Sequence, residues 1–175
     1  MTLLQSWISS ANSPETDFPL NNLPYGVFST KGSDPRCGVA IGDMIFDCQA
    51  AEEAGFIEFN EGKVFDVPLW NEVMEFGPNV WKELRNRLKQ LLDLNAKDQD
   101  TLSNMLTPIA NAELHLPFLV AEYTDFYAGR HHATNVGTIF RGAENGFMHG
   151  RQNRSTHRPG MWLRGFGPGA PALCL

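Results

Sequence analysis

The stretch from Tyr25 to Asp47 does most to limit what this chain can fold into. Tyr25-Gly26-Val27-Phe28-Ser29-Thr30 has strand composition, and Lys31-Gly32-Ser33-Asp34-Pro35 is a plain turn. Cys37 to Asp47 then reads as a strand, a turn at Gly42-Asp43 and a second short strand. A half-buried strand of five or six residues cannot stand alone, and short strands joined by tight turns close most economically into a small β-barrel.

Helical signals follow. Ala50 to Ala54 forms a short helix ended by Gly55, whose missing Cβ suits a left-handed cap. Pro68 stands near the start of a turn of helix that carries Leu69, Val73 and Phe76 and stops at Gly77. The clearest helix runs from about Pro78 to Asp93, where Trp81, Leu84, Leu88, Leu91 and Leu92 repeat every three or four residues. That stripe predicts packing onto the barrel, with Trp81, Leu84 and Leu88 buried. A weaker helix is expected over Asp100 to Leu106, and Leu114 to Val120 returns to strand character. Residues 1–17, polar and turn-rich, read as a partly ordered lead-in.

Charge divides the chain. All 20 Asp and Glu and 10 of the 14 Lys and Arg lie within residues 1–145, a net −10; residues 146–175 carry four arginines and no acid, a net +4. An acidic body repels phosphate, so nucleic acid is not the expected partner. No apolar run approaches the ~20 residues of a membrane span, and the N-terminus lacks the basic and apolar regions of a secretion signal. Cys37, Cys48 and Cys174 form no C-x-x-C pair, so neither a zinc site nor a disulfide framework is indicated, and the expected compartment is the reducing cytoplasm.

The chemistry concentrates between Tyr123 and Arg141. If Tyr123 to Tyr127 is extended, alternation puts Tyr123, Asp125 and Tyr127 on one face. Gly129 lets the chain turn and bring His131 or His132 back toward the carboxylate, and Arg141 adds a guanidinium fork suited to a substrate carboxylate. Carboxylate, phenol, imidazole and guanidinium together make a hydrolytic set: metal ligand, orienter, general base, anion clamp. On the residues alone, Asp125 serves equally well as a turn or helix-cap residue, and the two histidines as solvated or core side chains.

The segments Tyr-Thr-Asp-Phe-Tyr (123–127), His-Ala-Thr-Asn-Val-Gly (132–137), Phe140-Arg141 and Glu144-Asn145 resemble the signature at the start of the catalytic domain of the fumarylacetoacetase family. Asn22 to Phe28 and Gly38 to Gly42 resemble that family's N-terminal domain, and the resemblance runs in order over about residues 15–148. It implies a mainly β chain with short helices: an SH3-like β-barrel over residues 18–117, then the start of an incomplete, mostly β catalytic domain over residues 118–148. It implies hydrolysis of 4-fumarylacetoacetate to fumarate and acetoacetate in tyrosine and phenylalanine breakdown, a calcium or magnesium ion, and a homodimer. Carried over residue by residue, it makes Asp125 a metal ligand, His132 the general base, and Tyr127 and Arg141 substrate contacts. His131 departs from the family pattern and is given no role.

After Met148 the pattern stops. The resemblance calls for a Pro-Asn-Trp turn, then Gly-Tyr-His-Gly-Arg; this chain has His149-Gly150-Arg151-Gln152. Residues 148–175 contain no Asp, Glu, Lys, Val or Ile, have no period of 2 or 3.6, and cannot order themselves by burial. The family's remaining carboxylate ligands, the acidic partner of the base and a lysine near the leaving group have no counterpart in an acid-free tail. The expectation is therefore an inactive fragment whose residues 149–175 come from a frame slip or an aberrant gene model, with metal binding weak or absent. The alternatives are a regulatory module that docks on a full-length subunit, or a natural basic tail with its own role.

Overall fold

A computed structural model describes residues 3–60, 62–121 and 129–145. The chain divides into two compact units between Leu119 and Val120. The first is organised by five strands: β1 (Tyr25–Ser29), β2 (Arg36–Ile41), β3 (Met44–Asp47), β4 (Leu106–Pro108) and β5 (Glu113–His115). They form one antiparallel sheet in the order β4-β3-β2-β1-β5.

Connectivity forces the sheet to curl. Edge strands β4 and β5 are separated in sequence only by a 3-10 turn, Ile109–Asn111, and Ala112. In a flat sheet four inter-strand spacings would hold them about 19 Å apart. The link from Pro108 to Glu113 spans at most about 17 Å fully extended, and a 3-10 turn rises only about 2 Å per residue. The strands therefore wrap into a half-barrel, in keeping with the small β-barrel that the strand and turn pattern predicts.

Alternation sorts the side chains. Val27, Cys37, Val39, Ile41 and Phe46 enter the main core with Leu20, Leu23, Val64 and Phe65. Phe28 and Ile45 are buried on the other face, crowded over Gly38, where a Cβ would lie 2.7 Å from atoms of each. Gly38→Ala must push both of them aside, at a cost of about 1–3 kcal/mol. Urea unfolding of the two proteins measures this, and an unchanged midpoint would show the crowding to be harmless.

Strand β5 is shorter than the sequence predicts. The chain from Leu116 to Ala121 is irregular, because the partners that would extend the ladder are engaged elsewhere. The Trp70 indole N–H donates to the carbonyl of Gly26 at 2.8 Å, and the Trp70 backbone N–H donates to that of Pro117 at 2.9 Å. Pro117 itself has no N–H to offer.

Between β3 and β4 the chain makes a helical excursion. Helix α1 (Cys48–Glu53) is capped by Asp47, whose carboxylate accepts from the Ala50 N–H at 3.0 Å. Helix α2 (Asn71–Glu75) is followed by Gly77, at φ +81°, and by Pro78, the first residue of α3 (Pro78–Leu92). Leu84, Leu88, Leu91 and Leu92 are buried as predicted. Trp81 is not: it is 43% exposed. Its angular position on the stripe is right, but it sits in the first turn, where α3 meets α2 rather than the core, and its indole donates to the Val73 carbonyl at 2.7 Å. Helix α4 (Gln99–Ser103) ends before Leu106, which belongs to β4.

The N-terminal segment, expected to be a partly ordered lead-in, is built into the domain. Ile8 and Ala11 are buried, and a 3-10 turn covers Ser9–Asn12. The Ser6 hydroxyl donates to the Leu92 carbonyl at 2.6 Å and the Trp7 indole to that of Leu91 at 2.9 Å, so this segment satisfies carbonyls that α3 leaves open at its end. Gly42, at φ +56°, admits the Ser10-Ala11 backbone so closely that a Cβ would lie 2.6 Å from the Ala11 nitrogen. Polar side chains supply the order here, and hydrophobic periodicity gives no sign of it.

Candidate active site

The described part of the second unit is dominated by α5 (Arg130–Arg141). The chain enters it from Gly129 in an extended conformation, the Ala133 N–H donating to the Gly129 carbonyl at 3.0 Å. It leaves at Gly142, φ +85°, whose N–H donates to Thr138 at 2.9 Å. Arg141 in the last turn complements the negative end of the helix. Ala133 and Gly137, four residues apart, lie on one side of the helix and are its buried residues.

His132 lies in the first turn with its side chain exposed; Arg141 is half-buried at the other end. Neither is without an interacting partner, and the same holds for Arg130. Nine positions on an α-helix amount to two and a half turns, about 13 Å along the axis and about half a turn around it. His132 and Arg141 thus stand on opposite sides of α5, near its two ends. Asp125 and Tyr127 lie outside the described residues. Among the described residues no group of three or more His, Cys, Asp or Glu converges as a metal site.

One polar pair escaped the sequence reading. The Ser29 hydroxyl and His115 Nε2 are 2.8 Å apart across β1 and β5. Among the described residues no carboxylate bonds the other ring nitrogen, so the pair lacks the orienting group of a nucleophile–base couple. It ties the last residue of β1 to an edge strand. A pocket of about 170 Å³ lies between residues 57–60 and α3, lined by Ile57, Phe59, Leu84, Glu58, Glu83 and Arg87. That is below the ~300 Å³ at which small-molecule sites begin, and Arg87 is already bonded to the Phe56 carbonyl at 2.7 Å.

The curled antiparallel sheet with its helical excursion defines a small SH3-like β domain, and the chain continues past it into a segment carrying an imidazole and a guanidinium. Comparison with known proteins agrees. The family model described as fumarylacetoacetase N-terminal matches residues 21–117. The fumarylacetoacetase of Bos taurus is 45% identical over 141 residues, covering 77% of this chain and 34% of the relative. That of Homo sapiens is 43% identical with the same coverage, and that of Arabidopsis thaliana 38% identical over 153 residues, covering 83% of this chain and 36% of the relative. The chain belongs to the fumarylacetoacetase family. It spans about a third of the length of the curated relatives it matches. Among the described residues no helix is long and apolar enough to cross a membrane.

Proposed function

We propose that this chain is the N-terminal domain and the beginning of the catalytic domain of a cytoplasmic, homodimeric fumarylacetoacetase. That enzyme splits 4-fumarylacetoacetate with water into fumarate and acetoacetate, a step of tyrosine and phenylalanine breakdown. The observation that carries the reading is 45% identity over 141 residues to an enzyme of that name.

The chain's own residues fit the reaction in distinct roles. His132, open to solvent, takes a proton from water as the oxygen attacks the carbonyl carbon beside the bond to be cut. The carbon–carbon bond then breaks toward the acetoacetate side, and the enolate so formed takes up a proton. Tyr127 and Arg141 hold the substrate, Arg141 through charge-assisted bonds to a carboxylate. Fumarylacetoacetate carries a carboxylate at each end, so an arginine displaced from the base along α5 can anchor one end of a molecule cut in its middle.

Asp125 is proposed as one ligand of a calcium or magnesium ion. One carboxylate does not make such a site, since calcium gathers six to eight oxygens and magnesium six. The 175 residues alone are therefore proposed to bind the ion weakly or not at all and to be inactive. Calorimetric titration with calcium or magnesium tests this. The chain extended with the C-terminal portion of the bovine relative is expected to bind the ion, and Asp125→Ala to weaken that binding at least about tenfold, as loss of a charged ligand should. Equal affinity in the Asp125→Ala protein would remove Asp125 from the site.

A further inference from the structure

We propose that Cys37 and Cys48 form a cross-strand dithiol that closes to a disulfide by exchange with a small-molecule disulfide whenever the junction of β3 and α1 opens. The register places them. Gly38 pairs with Asp47 as the last rung of the β2–β3 ladder, and the next residue out on each side is a cysteine, Cys48 there opening α1. Both belong to the same core cluster as Val39 and Phe46, the rung two positions further in, so both side chains enter that core. Closure requires Cys48 to leave the first turn of α1 and continue the strand, where directly opposite residues have Cα atoms about 4.5–5.5 Å apart, within the ~4.4–6.8 Å that a disulfide spans.

Burial keeps the pair reduced. Both cysteines are 0% exposed. The Cys37 thiol is pushed up to about 12, first by burial and then by the charges of Asp47 and Glu52. Cys48 is pushed well above the ordinary range by burial and by Cys37 beside it. The thiolate is the attacking species, so exchange needs an opened state. The structure offers a short route to one: Cys48 is the first residue of a six-residue helix, under two turns long, held at that end by the Asp47 cap.

The exchange balances. One opened thiolate attacks a sulfur of oxidised glutathione and releases one glutathione thiol, leaving a mixed disulfide. The second cysteine attacks the protein sulfur of that bond and releases the other glutathione thiol. Two protons and two electrons pass from the cysteines to the two thiols released.

The test uses the 175-residue chain in native buffer with oxidised glutathione, quenched by alkylation. No Lys or Arg lies between the two cysteines, so trypsin releases Cys37 to Lys63 as one peptide. The expected product is that peptide two hydrogens lighter and free of alkyl label, while Cys174 remains separate from it. Closure should be at least roughly tenfold slower than exchange by the urea-unfolded chain, because only the opened fraction reacts. Three results would each overturn the proposal: a doubly alkylated peptide after prolonged exposure, a persistent mixed disulfide, or linkage to Cys174 in the proportion found in urea.

Discussion

His132→Ala, in the chain extended to the length of its relatives, is expected to lower kcat for fumarylacetoacetate hydrolysis by about 10²–10⁴-fold, the usual worth of a positioned general base. The substitution removes the proton acceptor but leaves Ala133 and Gly137, the buried side of α5, untouched, so the helix should keep its place. KM should change far less than kcat, because the imidazole is assigned to the attacking water and not to holding substrate. Arg141→Ala should divide the other way, with KM raised through loss of a carboxylate clamp. A His132→Ala protein of undiminished kcat would show that the base is another residue.

The second large effect concerns stability. Glu52 is only 8% exposed, and its two carboxylate oxygens accept the backbone N–H groups of Val64 at 2.8 Å and Phe65 at 3.0 Å. Val64 and Phe65 are themselves core residues, so no water stands ready to replace the acceptor. Hydrogen bonds to an ionised group are worth about 1.5–3 kcal/mol each. Glu52→Ala should therefore cost about 3–5 kcal/mol, a large part of a small domain's total stability. Glu52→Gln keeps one acceptor oxygen and should recover part of the loss. Urea unfolding of the three proteins measures this order; an alanine variant as stable as the parent would show that the loop carrying Val64 and Phe65 finds other acceptors.

The features legible in the sequence were those with a strong period or punctuation. Val27, Val39 and Phe46 alternate into the core, Gly42 turns β2 into β3, and the leucines of α3 face inward from Leu84 onward. The misreadings have physical reasons. Trp81 obeys the helical period but lies beyond the core's edge, and a period carries no information about where a helix meets its neighbours. The N-terminal segment is held by Ser6, Asn12 and Trp7 through polar bonds to backbone, which leave no hydrophobic pattern. Helix α5 was not foreseen because Thr134, Val136, Gly137 and Thr138 are weak helix formers. Its one clue is the spacing of Ala133 and Gly137, small residues one turn apart. Of the proposed site, His132 and Arg141 fall on this unforeseen helix, and Asp125 and Tyr127 lie outside the described residues.

This chain is proposed to hold a fumarylacetoacetase's N-terminal domain and the residues that begin its catalysis. The most direct measurement is the loss of fumarylacetoacetate absorbance, with calcium or magnesium present, for the 175-residue chain and for the same chain extended with the bovine relative's C-terminal portion. No turnover is expected from the first and turnover is expected from the second. Hydrolysis by the 175 residues alone, or none by the extended chain, would contradict the proposal.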